Sequence, residues 1–196
     1  SFAALWIENV TRPCRALDCP TLMRKSRSVT LTEPAAGALV AYNAAEQYAA
    51  EVLRAAMPAC ADVGVTIAVE PLSPADCDFL LTARSAVKLC ELVASPNCKL
   101  HLDVKAMATE ALPFETIIAE SRDWLVHFHV NDPNLLGPGM GDVQYGPIMT
   151  ALSAMCYQGW LSLEVFKYEP SPEEIARQSI EYLRKIEAAI AKAPPM

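Results

Sequence analysis

The sequence predicts a parallel α/β fold, the C-terminal part of a (β/α) TIM-type barrel, on three observations. From about residue 43 onward, short β-rich runs alternate with helical stretches, the order of successive βα units. Read at period two, each run has one apolar face and one face of small or polar side chains, which suits a narrow barrel interior. The 196 residues fit a single domain, whereas a complete eight-unit barrel takes about 250. The expectation is therefore an incomplete barrel with about four clear C-terminal units.

Taken in order, Asn43 with Glu46 resembles a helix N-cap, and Tyr48, Val52, Ala55, Ala56 and Ala59 follow at helical spacing until Gly64. A helix at about 43–62 follows. Val-Thr-Ile-Ala-Val-Glu at 65–70 reads as a buried strand ending at a carboxylate before Pro71. Thr82 caps a helix at about 83–93. Residues 99–104 form the next strand, and Pro113 opens a helix carrying Phe114, Ile117 and Ile118. Residues 125–130 are a strand, Pro147 opens a helix with Ile148, Leu152 and Met155, and 160–165 is the last strand. Ser171-Pro-Glu-Glu174 is a capping box with Pro at the first helical position, starting a helix that runs nearly to Pro194-Pro195.

The apolar face comprises Ile67, Val69, Leu100, Leu102, Val126, Phe128, Val130, Leu161, Leu163 and Val165, and should meet the helices. The opposite face carries Thr66, Ala68, Glu70, His101, Asp103, His127, His129, Ser162 and Glu164. Residues 1–42 lack a clear strand followed by an amphipathic helix, although 3–7 or 38–42 would make one short strand. They read as an irregular or truncated front, in keeping with an initial Ser, and 43–196 as the barrel part.

A net charge of −7 and a pI near 5.0 set aside a partner held mainly by phosphates. Seven scattered cysteines without a C-x-x-C pair form neither a zinc ribbon nor a secreted disulfide framework. No apolar run reaches membrane-spanning length, so no membrane is expected and the location expected is cytoplasmic.

Four successive strands each deliver a metal-capable side chain at the C-terminal end: Glu70, Asp103, His129 and Glu164. In βα barrels those ends converge on the face where active sites lie. Carboxylates plus one imidazole suit Mn²⁺, Mg²⁺ or Co²⁺ better than a closed structural zinc site. His127 and His101 should lie one layer deeper. Either one orients a ligand or a water by a hydrogen bond, or both are satisfied core histidines. Four of the seven glycines fall between 137 and 146, permitting tight turns and close backbone approach at a rim, without a nucleotide-binding spacing.

These residues resemble the xylose-isomerase-like barrels of sugar isomerases and epimerases, including the ketose 3-epimerases. The steps of 33, 26 and 35 residues between Glu70, Asp103, His129 and Glu164 look like that family's Glu, Asp, His, Glu metal set. So do Val69-Glu-Pro-Leu72, His101-Leu-Asp103, His127-Phe-His-Val-Asn-Asp132, Gly139-Met-Gly-Asp142 and the run 157–164. The resemblance covers about 43–190. It implies a divalent metal, a sugar or polyol substrate, and an enediolate intermediate with Glu70 and Glu164 as both ligands and acid/base groups. Asp103 and His129 would only hold the ion.

The chain departs from the family pattern at Ala106 and Leu135, where a substrate-positioning His and Arg are common. Lys105, Asp76, Asn131 and Asn134, each in a loop after a strand end, are the candidate substitutes. An inosose-type dehydratase of the same superfamily is the alternative, as is a non-catalytic metal-binding fragment whose exposed edges would call for a partner or a homo-oligomer. A phosphodiesterase resembling endonuclease IV would be richer in histidine. The lack of a basic cluster favours an unphosphorylated polyol.

Overall fold

The computed structural model describes residues 42–192. The expectations for residues 1–41, including the short strand at 3–7, lie outside the described residues. Within them four parallel strands form one sheet in the order β1-β2-β3-β4, each returned to the next through a helical connection. The strands are β1 (Ile67–Val69), β2 (Cys98–Asp103), β3 (Leu125–Val130) and β4 (Trp160–Leu163). Around them run α1 (Tyr42–Asp62), α2 (Ala83–Val93), the single turn α3 (Val104–Met107), α4 (Phe114–Glu120), α5 (Tyr145–Ala154) and α6 (Pro172–Lys192).

Local chemistry accounts for most boundaries. The Ser85 N–H donates to Thr82 Oγ1 at 3.2 Å, and the Thr82 N–H donates back to Ser85 Oγ at 3.2 Å, a reciprocal cap with serine in place of the usual Glu. Ser171 accepts the Glu174 N–H at 3.1 Å, but the Glu174 carboxylate turns forward to Arg177 and Gln178 instead of back to the cap. Asn43 is not a cap, because α1 already includes it. Pro113 is the residue before α4, and α5 begins at Tyr145, two residues ahead of Pro147. β1 and β4 are shorter than expected, so Glu70 and Glu164 stand just past their ends. Val104 leaves β2 for α3 because the Asp103 side chain caps that turn, accepting the Ala106 N–H at 2.9 Å.

The apolar sheet face meets the helices as expected. Leu100, Leu102, Phe128, Val130 and Leu161 pack with Ala86 of α2, Ile117 and Ile118 of α4, Ile148 and Leu152 of α5, and Leu183 of α6. Val126 and Val165 are the exceptions, Val165 lying past the end of β4 and outside the core. The pairing of β2 with β3 shifts between Leu100 and His101, with Leu100 opposite Leu125 and His101 opposite His127. This bulge seats Leu125 in the core and leaves Val126 only half-buried. Beyond it the register is regular: Asp103 pairs with His129 and His129 with Ser162, so their side chains project on one level. No helix among the described residues is long and apolar enough to cross a membrane.

Candidate metal centre

Because His129 pairs with Asp103 and the flanking strands end one residue short of Glu70 and Glu164, all four side chains meet at the C-terminal edge of the sheet. One donor atom from each lies within 4.8 Å of the others. His129 Nδ1 faces all three carboxylates, 3.1 Å from Glu164 Oε2, 3.6 Å from Asp103 Oδ2 and 3.8 Å from Glu70 Oε1. It is buried, yet none of them meets it in hydrogen-bond geometry. An orphaned ring nitrogen aimed at converging oxygens is the arrangement a coordinated cation would satisfy, and an oxygen-rich set with one imidazole suits Mn²⁺, Mg²⁺ or Co²⁺.

The electrostatics agree. Three carboxylates crowded into a half-buried site repel each other and need a compensating positive charge. Without a metal the imidazole supplies it: burial disfavours charged His129, but Asp103, Glu164 and Glu70 outweigh burial and lift its pKa to about 9. Burial also raises Glu70 to about 7, helped by Asp103 and Glu164 against the opposing pull of His129 and Lys105. His101 and His127 stay neutral, His127 pushed down to about 4 chiefly by burial and His101 well below its usual range.

Asp103 is fixed from two sides. Its Oδ1 accepts the Ala106 N–H, and its Oδ2 accepts a 2.6 Å hydrogen bond from Asn131 Nδ2. Asn131 is fully buried; its Oδ1 accepts the Lys105 N–H at 2.8 Å and its backbone carbonyl accepts the Tyr145 hydroxyl. The structure thus places Asn131 against Asp103 with both amide atoms engaged. Asn134 is likewise occupied, donating to the Met140 carbonyl and accepting the Leu136 N–H. Lys105 and Asp76 come together as an ion pair at 2.7 Å linking the segments after β1 and β2, with Lys105 Nζ over the Phe166 ring. His101 Nδ1 lies 3.6 Å from Glu70 Oε2, while His127 touches the site only through the ring edges of His101 and His129.

Sequence reasoning passed over Asp132 and Tyr145. Asp132 accepts the Asn134 and Val143 N–H groups and abuts Gly141, shaping the rim loop. The Asn-Asp-Pro-Asn run, rich in side chains that bond nearby backbone, is the signal that marks it. At the two departures from the family pattern, Ala106 donates its N–H to Asp103. Leu135 adopts φ 76°, and its carbonyl accepts the Phe166 and Lys167 N–H groups, tying the loop after β3 to the one after β4.

Comparison with known proteins supports the fold. The chain is 27% identical over 133 residues to a probable ketose 3-epimerase of Synechocystis, covering 60% of this chain and 46% of that protein. It is 26% identical over 131 residues to the fructoselysine 3-epimerase of Escherichia coli O157:H7, covering 64% and 48%. The chain thus spans about half the length of the curated relatives it matches. Among solved structures, a 3-keto-D-glucoside 4-epimerase from E. coli superposes with a TM-score of 0.71 at 21% identity, over 76% of this chain and 57% of that one. A D-psicose 3-epimerase from Clostridium cellulolyticum gives 0.70 at 19% identity, over 80% and 60%. With its family model matching residues 3–186, the chain belongs to the xylose isomerase-like TIM barrel family.

Proposed function

We propose that this chain carries the metal centre of a divalent-metal-dependent sugar isomerase or epimerase acting through an enediolate, with Glu70 and Glu164 as acid/base groups. The observation behind this reading is the convergence of Glu70, Asp103, His129 and Glu164 at four successive strand ends. The bound ion would polarise a ketose carbonyl and its neighbouring hydroxyl and stabilise the enediolate. Glu70 and Glu164 stand just past the ends of β1 and β4, the two outer strands of the four, so they approach a substrate from opposite sides. That disposition lets one carboxylate take a proton from the carbon next to the carbonyl and the other return one to the opposite face. Without the ion Glu70 is raised to about 7, so a bound ion has to displace the proton it carries near neutral pH.

Asp103, held by Asn131 and the Ala106 N–H, and His129 keep the ion in place. The Lys105–Asp76 pair at the rim is the candidate substrate contact on this side, in place of the family's His and Arg. The relatives are by name 3-epimerases, of a ketose in Synechocystis and of fructoselysine in E. coli, and the lack of a basic cluster favours an unphosphorylated ketose as the substrate class; Mn²⁺ is the preferred ion to test.

The test is incubation with Mn²⁺ and a panel of ketoses in D₂O, read by NMR. Deuterium entering at the carbon next to the carbonyl, with an epimer appearing, supports the reading. A product lacking one water supports the inosose-type dehydratase. Ion binding without exchange supports a non-catalytic metal-binding barrel fragment.

A further inference from the structure

His101 and His127 lie one residue layer below Asp103 and His129. With His129 above them they are all three histidines of the chain, and one nitrogen from each lies within 4.8 Å of the other two. Their rings meet edge to face, with centroids 4.9 Å apart for His101–His127, 4.0 Å for His101–His129 and 5.3 Å for His127–His129. The residues are 4, 4 and 6% exposed, and Nε2 of both His101 and His127 is buried without a hydrogen-bond partner. A buried polar atom left unpaired costs about 1–3 kcal/mol, so two such atoms on neighbouring strands call for a shared guest.

We propose that His101, His127 and His129 form a nitrogen-donor site that takes a borderline transition ion such as Zn²⁺, distinct from the oxygen-rich site above that suits Mn²⁺. Imidazole donors favour zinc, and carboxylate oxygens favour manganese and magnesium. Three imidazoles with one open position are also a sufficient first coordination sphere for zinc. His129 belongs to both donor sets, so the two ions compete: zinc held below withdraws His129 from the carboxylates. The chain would thereby discriminate between ions by depth, and zinc would displace manganese. This goes beyond the isomerase reading, because it holds whatever sugar the chain acts on.

The experiment is separate titration of metal-free protein with ZnCl₂ and MnCl₂ by calorimetry, for wild type, H127N and E70Q/E164Q. Losing a tuning partner of a metal ligand already costs 10–100-fold, so H127N should weaken Zn²⁺ at least about 100-fold and leave Mn²⁺ within about threefold. Retained Mn²⁺ binding also reports that H127N is folded. The double variant should lose Mn²⁺ while keeping Zn²⁺ within about tenfold of wild type. It relieves carboxylate repulsion and so carries the test even if H127N does not fold. If Zn²⁺ follows Mn²⁺ in ignoring H127N, or in failing with E70Q/E164Q, the two nitrogens share only a water and the inference is overturned. Failure of wild type to bind Mn²⁺ would count against the metal-centre reading instead.

Discussion

Asn131 Nδ2 donates to Asp103 Oδ2 at 2.6 Å, so the buried amide on the loop after β3 sets the orientation of the carboxylate that ends β2. The Ala106 N–H holds the other oxygen, leaving Asp103 little freedom to turn. Replacing Asn131 by Leu removes the donor and strands the Lys105 N–H it accepts. Mn²⁺ affinity should fall about 10–100-fold, as for other groups that orient a metal ligand. Titration of N131L with Mn²⁺ checks this; unchanged affinity would show that the Ala106 N–H alone suffices.

Above about pH 7, where His101 and His127 are neutral folded or unfolded, the metal-free protein should lose stability as pH rises. Glu70, raised in the folded state to about 7 from the usual 4.5, binds more protons folded than unfolded between those values. His129, raised to about 9 from 6.5, does the same at higher pH. Both contributions are fully present at low pH and are lost as pH climbs through about 7 and then about 9. Mn²⁺ must displace those protons, so its stabilisation should grow over the same range. Melts in EDTA and in Mn²⁺ from pH 5 to 9 should diverge with rising pH; parallel curves would contradict the coupling.

The Lys105–Asp76 pair is partly exposed, with side chains 23 and 40% accessible. A pair of that exposure contributes at most about 1 kcal/mol to stability. D76N should therefore shift the melting temperature little. Under the proposed function it should weaken sugar turnover through KM, by freeing Lys105 from its rim position. A large loss of stability with unaltered KM would assign the pair to structure alone.

The rim loop depends on glycine at one position and tolerates its loss at another. A Cβ at Gly141 would lie 2.2 Å from the Asp132 carboxylate, which already holds two backbone N–H groups. G141A should cost about 1–3 kcal/mol, as overpacking does. Gly146 lies in the first turn of α5 with no atom beyond its chain neighbours and its helix's own backbone near an added Cβ, and Pro147 after it disfavours helical backbone at a residue that carries one, so G146A should shift stability by less than about 1 kcal/mol. Paired chemical denaturation of the two variants reads the contrast.

The convergence of the four side chains was legible because it rests on a period of two within strands and on a repeated βα unit, both written in the residues themselves. Glu70, Asp103, His129 and Glu164 share a face whichever residue ends each strand. Val126 was misplaced because a bulge depends on the partner strand, which no single run encodes. The role of Asn131 was hidden for a similar reason: loop polarity was visible, but not that its amide would turn inward to Asp103, 28 residues earlier in the chain. Asp103 ended β2 early by capping α3, a local competition between side chain and ladder that the run 99–104 does not reveal.

The central claim is that four side chains at four strand ends bind one divalent ion. A thermal melt in EDTA and then in Mn²⁺, for wild type, His129→Ala and Glu164→Ala, tests it most directly. An ion present at 100 times its dissociation constant adds about 2.7 kcal/mol to a native state that alone binds it. Mn²⁺ should raise the wild-type melting temperature by the corresponding several degrees and leave both variants unmoved. A cooperative wild-type melt that ignores Mn²⁺, or variants that respond as wild type does, would contradict the site.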